Sequence, residues 1–181
     1  REELVLMACA ARMVNVVGAV TPDGDPDARL FETLGQGLGS LKWSRDPVLT
    51  ALLFQIRLLG LTGFRPQTDQ CATCGKTCVT GEPQFSPLAG GFVCLSCATR
   101  QMARCVVMSR GSLSFLQQAI RLTPELVTRL KATGQVRAEV ERAIEGYVTV
   151  VAGRRLPPVD FLSSMTSVCA SATARSTFTR A

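Results

Sequence analysis

An all-α fold, a helical domain with a four-cysteine module inserted between its helices, is what this 181-residue sequence predicts, on three observations. Apolar residues recur at helical spacing through most of the chain. Helix start signals, Asp-Pro and Thr-Pro-Glu, stand in front of those runs. The third observation is Cys71-Ala-Thr-Cys74-Gly75 and its echo Cys94-Leu-Ser-Cys97, two Cys-x-x-Cys pairs separated by nineteen residues. That spacing matches a four-thiolate zinc site, because zinc binds four ligands tetrahedrally and each pair supplies two sulfurs from one tight turn. Cys71, Cys74, Cys94 and Cys97 are thus the expected ligands of one structural zinc ion.

Gly75 can take positive φ where the chain turns back past the metal. Gln84 to Val93 is expected to form strand, Pro/Gly turn and strand, a β-hairpin that returns to the metal. Two disulfides or four buried thiols are the alternatives; the paired spacing and the lack of a leader sequence argue against disulfides. Cys78 lies outside the pattern, as a spare thiol or a competitor for one ligand position.

The first helix is expected from about Glu3 to Ala19, apolar nearly all round and so buried among other helices. Arg12 and Asn15 interrupt its apolar run, so a membrane span is not expected and the protein is placed in the cytoplasm. Arg1 opens the chain inside this helical pattern, which suggests a piece of something longer. Thr21-Pro22-Asp23-Gly24 is a turn, and Asp25-Pro26 restarts a helix with Leu30, Leu34, Leu38 and Leu41 as its stripe and Phe31 beside it. Gly35, Gly37 and Gly39 weaken that helix, each by about 1 kcal/mol relative to Ala; close packing is one reason to keep them, and a kinked or broken helix end is an equal alternative.

Asp46-Pro47 starts the central helix, nearly all apolar from Val48 to Leu61 and closed by Gly63 and Pro66. After the cysteine module, Ser109 or Ser112 caps a helix burying Leu113, Leu116 and Ile120. Thr123-Pro124-Glu125 opens another, ended by Gly134. The last strong helix runs from about Val136 to Ala152 on Val140, Ile144, Tyr147 and Val151, with a short one expected near Asp160-Phe161-Leu162. The division expected is 1–66 and 109–165 for the helical domain, 67–108 for the zinc insertion and 166–181 for a weakly ordered basic tail.

Net charge is +6 and unevenly placed. Residues 1–64 carry six basic and seven acidic groups, whereas 65–120 carry five against two and 121–181 nine against five. A basic field of this kind favours polyanions or acidic peptides.

Catalysis is not expected. The chain has no histidine, which removes the usual general base and the usual triads. A zinc held by four thiolates has no open position for water. No phosphate-cradling glycine motif is present, and Glu139, Glu141 and Glu145 have the spacing of a solvated helix face.

Leu58-Leu59-Gly60-Leu61-Thr62-Gly63-Phe64-Arg65-Pro66, the two cysteine pairs, Phe85-Ser86-Pro87 and Gly90-Gly91 together resemble the C-terminal region of the RecO family. The closing Leu156 and Phe161-Leu162 are similar to that family's end. The resemblance implies a bacterial recombination mediator that binds single- and double-stranded DNA and, with RecR, helps load RecA onto DNA coated by single-strand-binding protein. The family's N-terminal OB-fold has no counterpart in these residues.

Arg65, Lys76, Arg100, Arg104 and Arg110 surround the cysteine module in sequence and are the expected phosphate contacts. Arg154 and Arg155, beside Tyr147 and Val151, offer a site for the acidic tail of single-strand-binding protein, with the central helix near Arg57 as the next choice. No stacking platform is evident, since Trp43, Tyr147 and the phenylalanines are scattered. Two other readings stay open: a redox-sensitive zinc protein that oxidation of the cysteines would switch, and a structural scaffold without DNA binding of its own.

Overall fold

The computed structural model describes residues 2–21, 27–77, 82–99, 105–122, 130–132 and 134–156. The expected helix after Thr123, the short one near Asp160, the tail, and Cys78, Arg100 and Arg104 lie outside them.

Helices α1 (Glu2–Val20), α2 (Ala28–Leu41) and α3 (Pro47–Leu61) pack on one another, and α3 also meets α5 (Arg110–Arg121) and α6 (Gly134–Val151). The Asp-Pro signal at α3 works as its chemistry dictates: Asp46 accepts a hydrogen bond from the Leu49 N–H at 3.0 Å, and Pro47 occupies the first turn, where its missing N–H costs nothing. Ala51, Leu52, Ile56, Leu58 and Leu59 are buried, and α3 is the axis of the domain.

Three helix expectations need correction. The N-cap of α2 is Asp27 rather than Asp25, because the Asp27 carboxylate accepts from the Arg29 N–H. Phe31, placed beside the α2 stripe, is exposed, and Thr33 is buried instead. On α1 only one face is buried, through Cys9, Arg12, Met13, Val16 and Val20. Leu4, Val5, Met7 and Val14 face outward, since α1 packs on α2 and α3 from one side only. By length and mean hydropathy α1 could cross a membrane. Its Arg12 is buried and donates to Gln55 Oε1 on α3 at 3.2 Å, as in a bundle of helices.

Of the three glycines in α2, close packing accounts for Gly37. A Cβ there would come 2.7 Å from the Phe54 ring, whereas at Gly35 and Gly39 it would meet nothing.

The small sheet has three strands, not the expected two. It is antiparallel, in the order β2 (Gly91–Val93), β1 (Gln84–Ser86), β3 (Val106–Val107). Phe85 pairs with Phe92 on one side and with Val106 on the other. The third strand comes from chain beyond the second cysteine pair, which a local hairpin signal cannot reveal. Phe85 and Phe92 belong to the main hydrophobic core together with α3 and α6, so the sheet is joined to the helices by shared packing.

The Gly90-Gly91 pair has a physical reason at each position. Gly90 has φ 69°, and an added Cβ would lie 2.9 Å from the Tyr147 hydroxyl. At Gly91 a Cβ would collide with the Gln67 backbone, which runs along β2 and exchanges hydrogen bonds with Gly90 and Phe92.

Candidate metal centre and docking groove

The first cysteine pair sits in a turn in which the Gly75 N–H reaches Cys71 O at 2.9 Å and Gly75 takes φ 71°. The second pair spans the single helical turn α4 (Leu95–Ala98), with the Cys97 and Ala98 N–H groups donating to Cys94 O. Strands β1 and β2 separate the turns in sequence, and Ala72 N–H to Phe92 O at 2.7 Å ties them in space. All four sulfurs lie within 4.8 Å of one another, and Cys74 Sγ is 3.7 Å from Cys94 Sγ. A zinc tetrahedron with bonds of about 2.3 Å needs sulfurs about 3.8 Å apart, whereas a disulfide needs about 2.05 Å. The four cysteines are free thiols at metal spacing.

The electrostatics fit the same conclusion. Burial alone would push the Cys71 thiol up, but the Cys94, Cys74 and Thr73 N–H groups aim at its sulfur and hold it down at about 6. The Cys97 thiol is pushed up to about 12 by the neighbouring Cys94 sulfur and by burial. A dication held among the four sulfurs would let all four ionise. Cys105 packs partly buried against this cluster.

Among the proposed phosphate contacts, Arg65, Lys76 and Arg110 are exposed. Arg154 and Arg155 are exposed just past α6, but Tyr147 beside them is only 7% exposed. Its ring packs edge-on to Phe85 at 6.0 Å, and burial raises its hydroxyl. It is a core residue, so among the described residues its ring is not open to a ligand beside Arg154 and Arg155.

The large groove lies elsewhere. Between α2 and α3 is a cavity of about 860 Å³ walled by Leu49, Leu53 and Phe54 and bordered by Arg45, Arg57 and Lys131. Trp43, 81% exposed, stands at its edge with Lys42 Nζ 5.2 Å from the ring centre. Among the described residues, Arg45, Arg57, Arg65 and Lys131 make no ion pair. Only the Arg57 fallback pointed here. The groove depends on how α2 and residues 130–132 flank α3, which periodicity does not specify.

Glu139 is the other residue the sequence misplaced. It is 5% exposed rather than solvated, and its carboxylate closes the start of α5. Oε2 accepts from the Ser109 N–H and the Ser112 hydroxyl, both at 2.6 Å, and Oε1 from Gln135 Nε2 at 2.6 Å. The backbone N–H of Ser109, followed by the Ser112 hydroxyl, holds the carboxyl down at about 2. The signal available was Ser109-x-x-Ser112, two hydroxyls at a helix start that a buried acid can complete.

Fold and site together define a helical domain carrying a cluster of four cysteines at metal-binding spacing. The chain belongs to the RecO family of DNA repair and recombination proteins: the family described as "Recombination protein O C terminal" matches residues 1–158. It is 30% identical over 173 residues to DNA repair protein RecO of Symbiobacterium thermophilum, covering 92% of this chain and 67% of that protein. It is 31% identical over 170 residues to the Myxococcus xanthus protein of the same name (91% and 65%). With that of Bacillus pumilus the figures are 26% over 168 residues (93% and 64%). The chain thus spans about two thirds of the length of these relatives.

Proposed function

We propose that this chain is the partner-binding module of a cytoplasmic recombination mediator, acting by binding rather than catalysis. Cys71, Cys74, Cys94 and Cys97 hold one structural zinc. The cations after residue 64 contact DNA phosphates. The α2–α3 groove docks the acidic tail of single-strand-binding protein, while RecR is a second partner and RecA loading the outcome. The relatives' name, DNA repair protein RecO, supports the setting.

The observation that carries this reading is the apolar groove bordered by three cations that make no ion pair among the described residues. An acidic peptide ending in an apolar residue needs a slot for that side chain and a cation for its carboxylate. Leu49, Leu53 and Phe54 provide the slot, and Arg57 is placed beside it. Contacts of this size give micromolar binding, about −8 kcal/mol, and salt weakens it through screening of the exposed charges.

Trp43, the single tryptophan, lies at the groove edge and supplies a fluorescence signal for the titration. Arg57→Glu should lose at least tenfold in affinity for an acidic, apolar-ended peptide, while Arg154→Glu with Arg155→Glu keeps it. Unchanged binding by Arg57→Glu, or no binding by the parent, overturns the reading.

A further inference from the structure

The α2–α3 groove has a neighbour across Arg57. A smaller cavity of about 220 Å³ lies between α3 and the end of α5, walled by Ile56, Ala119 and Ile120 and bordered by Leu61 and Arg65. Arg57 lines both cavities. Of the α3 residues that line them, Leu49, Leu53, Arg57 and Gly60 follow at steps of three or four, so the two cavities share one stripe of the helix. Leu53 and Gly60, one in each cavity, are seven positions apart, about 10 Å along the axis. The acid on this stripe is Asp46, whose oxygens are taken by Arg137 at 2.6 Å and by the Leu49 N–H. Arg45, Lys131, Arg57 and Arg65 border the stripe without ion-pair partners among the described residues.

We propose that the two cavities are one bipartite cleft, which takes an acidic peptide by two apolar side chains about three residues apart, one on either side of Arg57. This rests on the docking reading above and specifies its second anchor. The spacing follows from chain geometry. An extended chain advances about 3.1 to 3.4 Å per residue, so about 10 Å needs three residues, and in a polyproline helix side chains three apart share a face. Arg57 then lies under the segment between the anchors, where an acidic residue meets a guanidinium that has no ion-pair partner among the described residues. The chemistry favours peptide over single-stranded nucleic acid. The smaller cavity has aliphatic walls and no aromatic ring among its lining residues, whereas a base needs a flat face to stack on.

Gly60 makes the test clean. A Cβ there meets nothing within 4 Å and Gly60 lines the smaller cavity, so the side chain of Gly60→Phe can extend into it. Two acidic peptides with an apolar C-terminal residue are compared by Trp43 fluorescence. One carries a second apolar residue three positions earlier, and the other has serine there. The parent should bind the two-anchor peptide about tenfold more tightly. Gly60→Phe should erase that difference and leave the one-anchor peptide unchanged, whereas Arg57→Glu weakens both. Gly60→Leu serves if the larger side chain disturbs the helical circular dichroism.

Equal affinities in the parent, or a tenfold difference that survives Gly60→Phe, overturns the bipartite cleft and leaves the docking reading standing. No binding of either peptide to the parent overturns both. If Gly60→Phe weakens oligothymidine instead of the two-anchor peptide, the cleft belongs to nucleic acid and the peptide proposal fails.

Discussion

Replacing Glu139 with glutamine should cost this domain about 3 kcal/mol at neutral pH. The side chain accepts three hydrogen bonds at 2.6 Å, two of them at the start of α5, where the helix dipole also favours a negative charge. Hydrogen bonds to a charged group contribute about 1.5 to 3 kcal/mol each and do not add fully. Proton linkage gives a similar figure. The carboxyl falls from its ordinary 4.5 to about 2 on folding, at about 1.4 kcal/mol per pH unit. Because the folded value is depressed, the stabilisation is complete above about pH 4.5 and is lost as pH falls toward about 2. The glutamine variant lacks that acid-labile part. Thermal unfolding followed by circular dichroism at pH 7 should show a drop of about 6 to 12 °C for a chain of this size. Repeated at pH 3.5, parent and variant should move closer by about 1.4 kcal/mol. A variant as stable as the parent at pH 7, or a gap that ignores pH, would refute the placement of Glu139 as a buried carboxylate.

Elemental analysis should find one zinc per chain, and Cys94→Ser should lose it while helical content largely persists, because α3 has its own apolar core; full-affinity zinc in that variant sinks the ligand assignment. DNA binding should be sequence-independent and steeply salt-sensitive, and removing the charges of Arg100 and Arg104 together should flatten the slope of log K against log salt by about two or slightly less; an unchanged slope places these arginines away from DNA.

Local chemistry is what the sequence carried well. Asp46-Pro47 starts α3 because a carboxylate at the N-cap reaches the N–H three positions on, in the first turn of the helix. The four-cysteine cluster was legible because Cys-x-x-Cys geometry is set within single turns, each closed by its own backbone hydrogen bonds. Gly90-Gly91 was visible as a motif, but its reasons were not: Tyr147 and the Gln67 backbone arrive from distant parts of the chain.

The same division holds for the sites. Tyr147, Val151, Arg154 and Arg155 share a helical stripe and its exit, which favoured a docking site there, yet the core side of that stripe is occupied by Phe85 from the sheet. Glu139 has the spacing of a surface acid, and only the approach of the α5 N-terminus, thirty residues earlier, turns it into a buried cap. By itself the sequence determined the main helical runs, the start of α3 and the clustering of the four cysteines, because each depends on interactions within a turn or two. The tertiary structure alone decided which faces pair, and with them the third strand, the buried carboxylate and the cleft along α3, because cavities and burial belong to the spaces between elements.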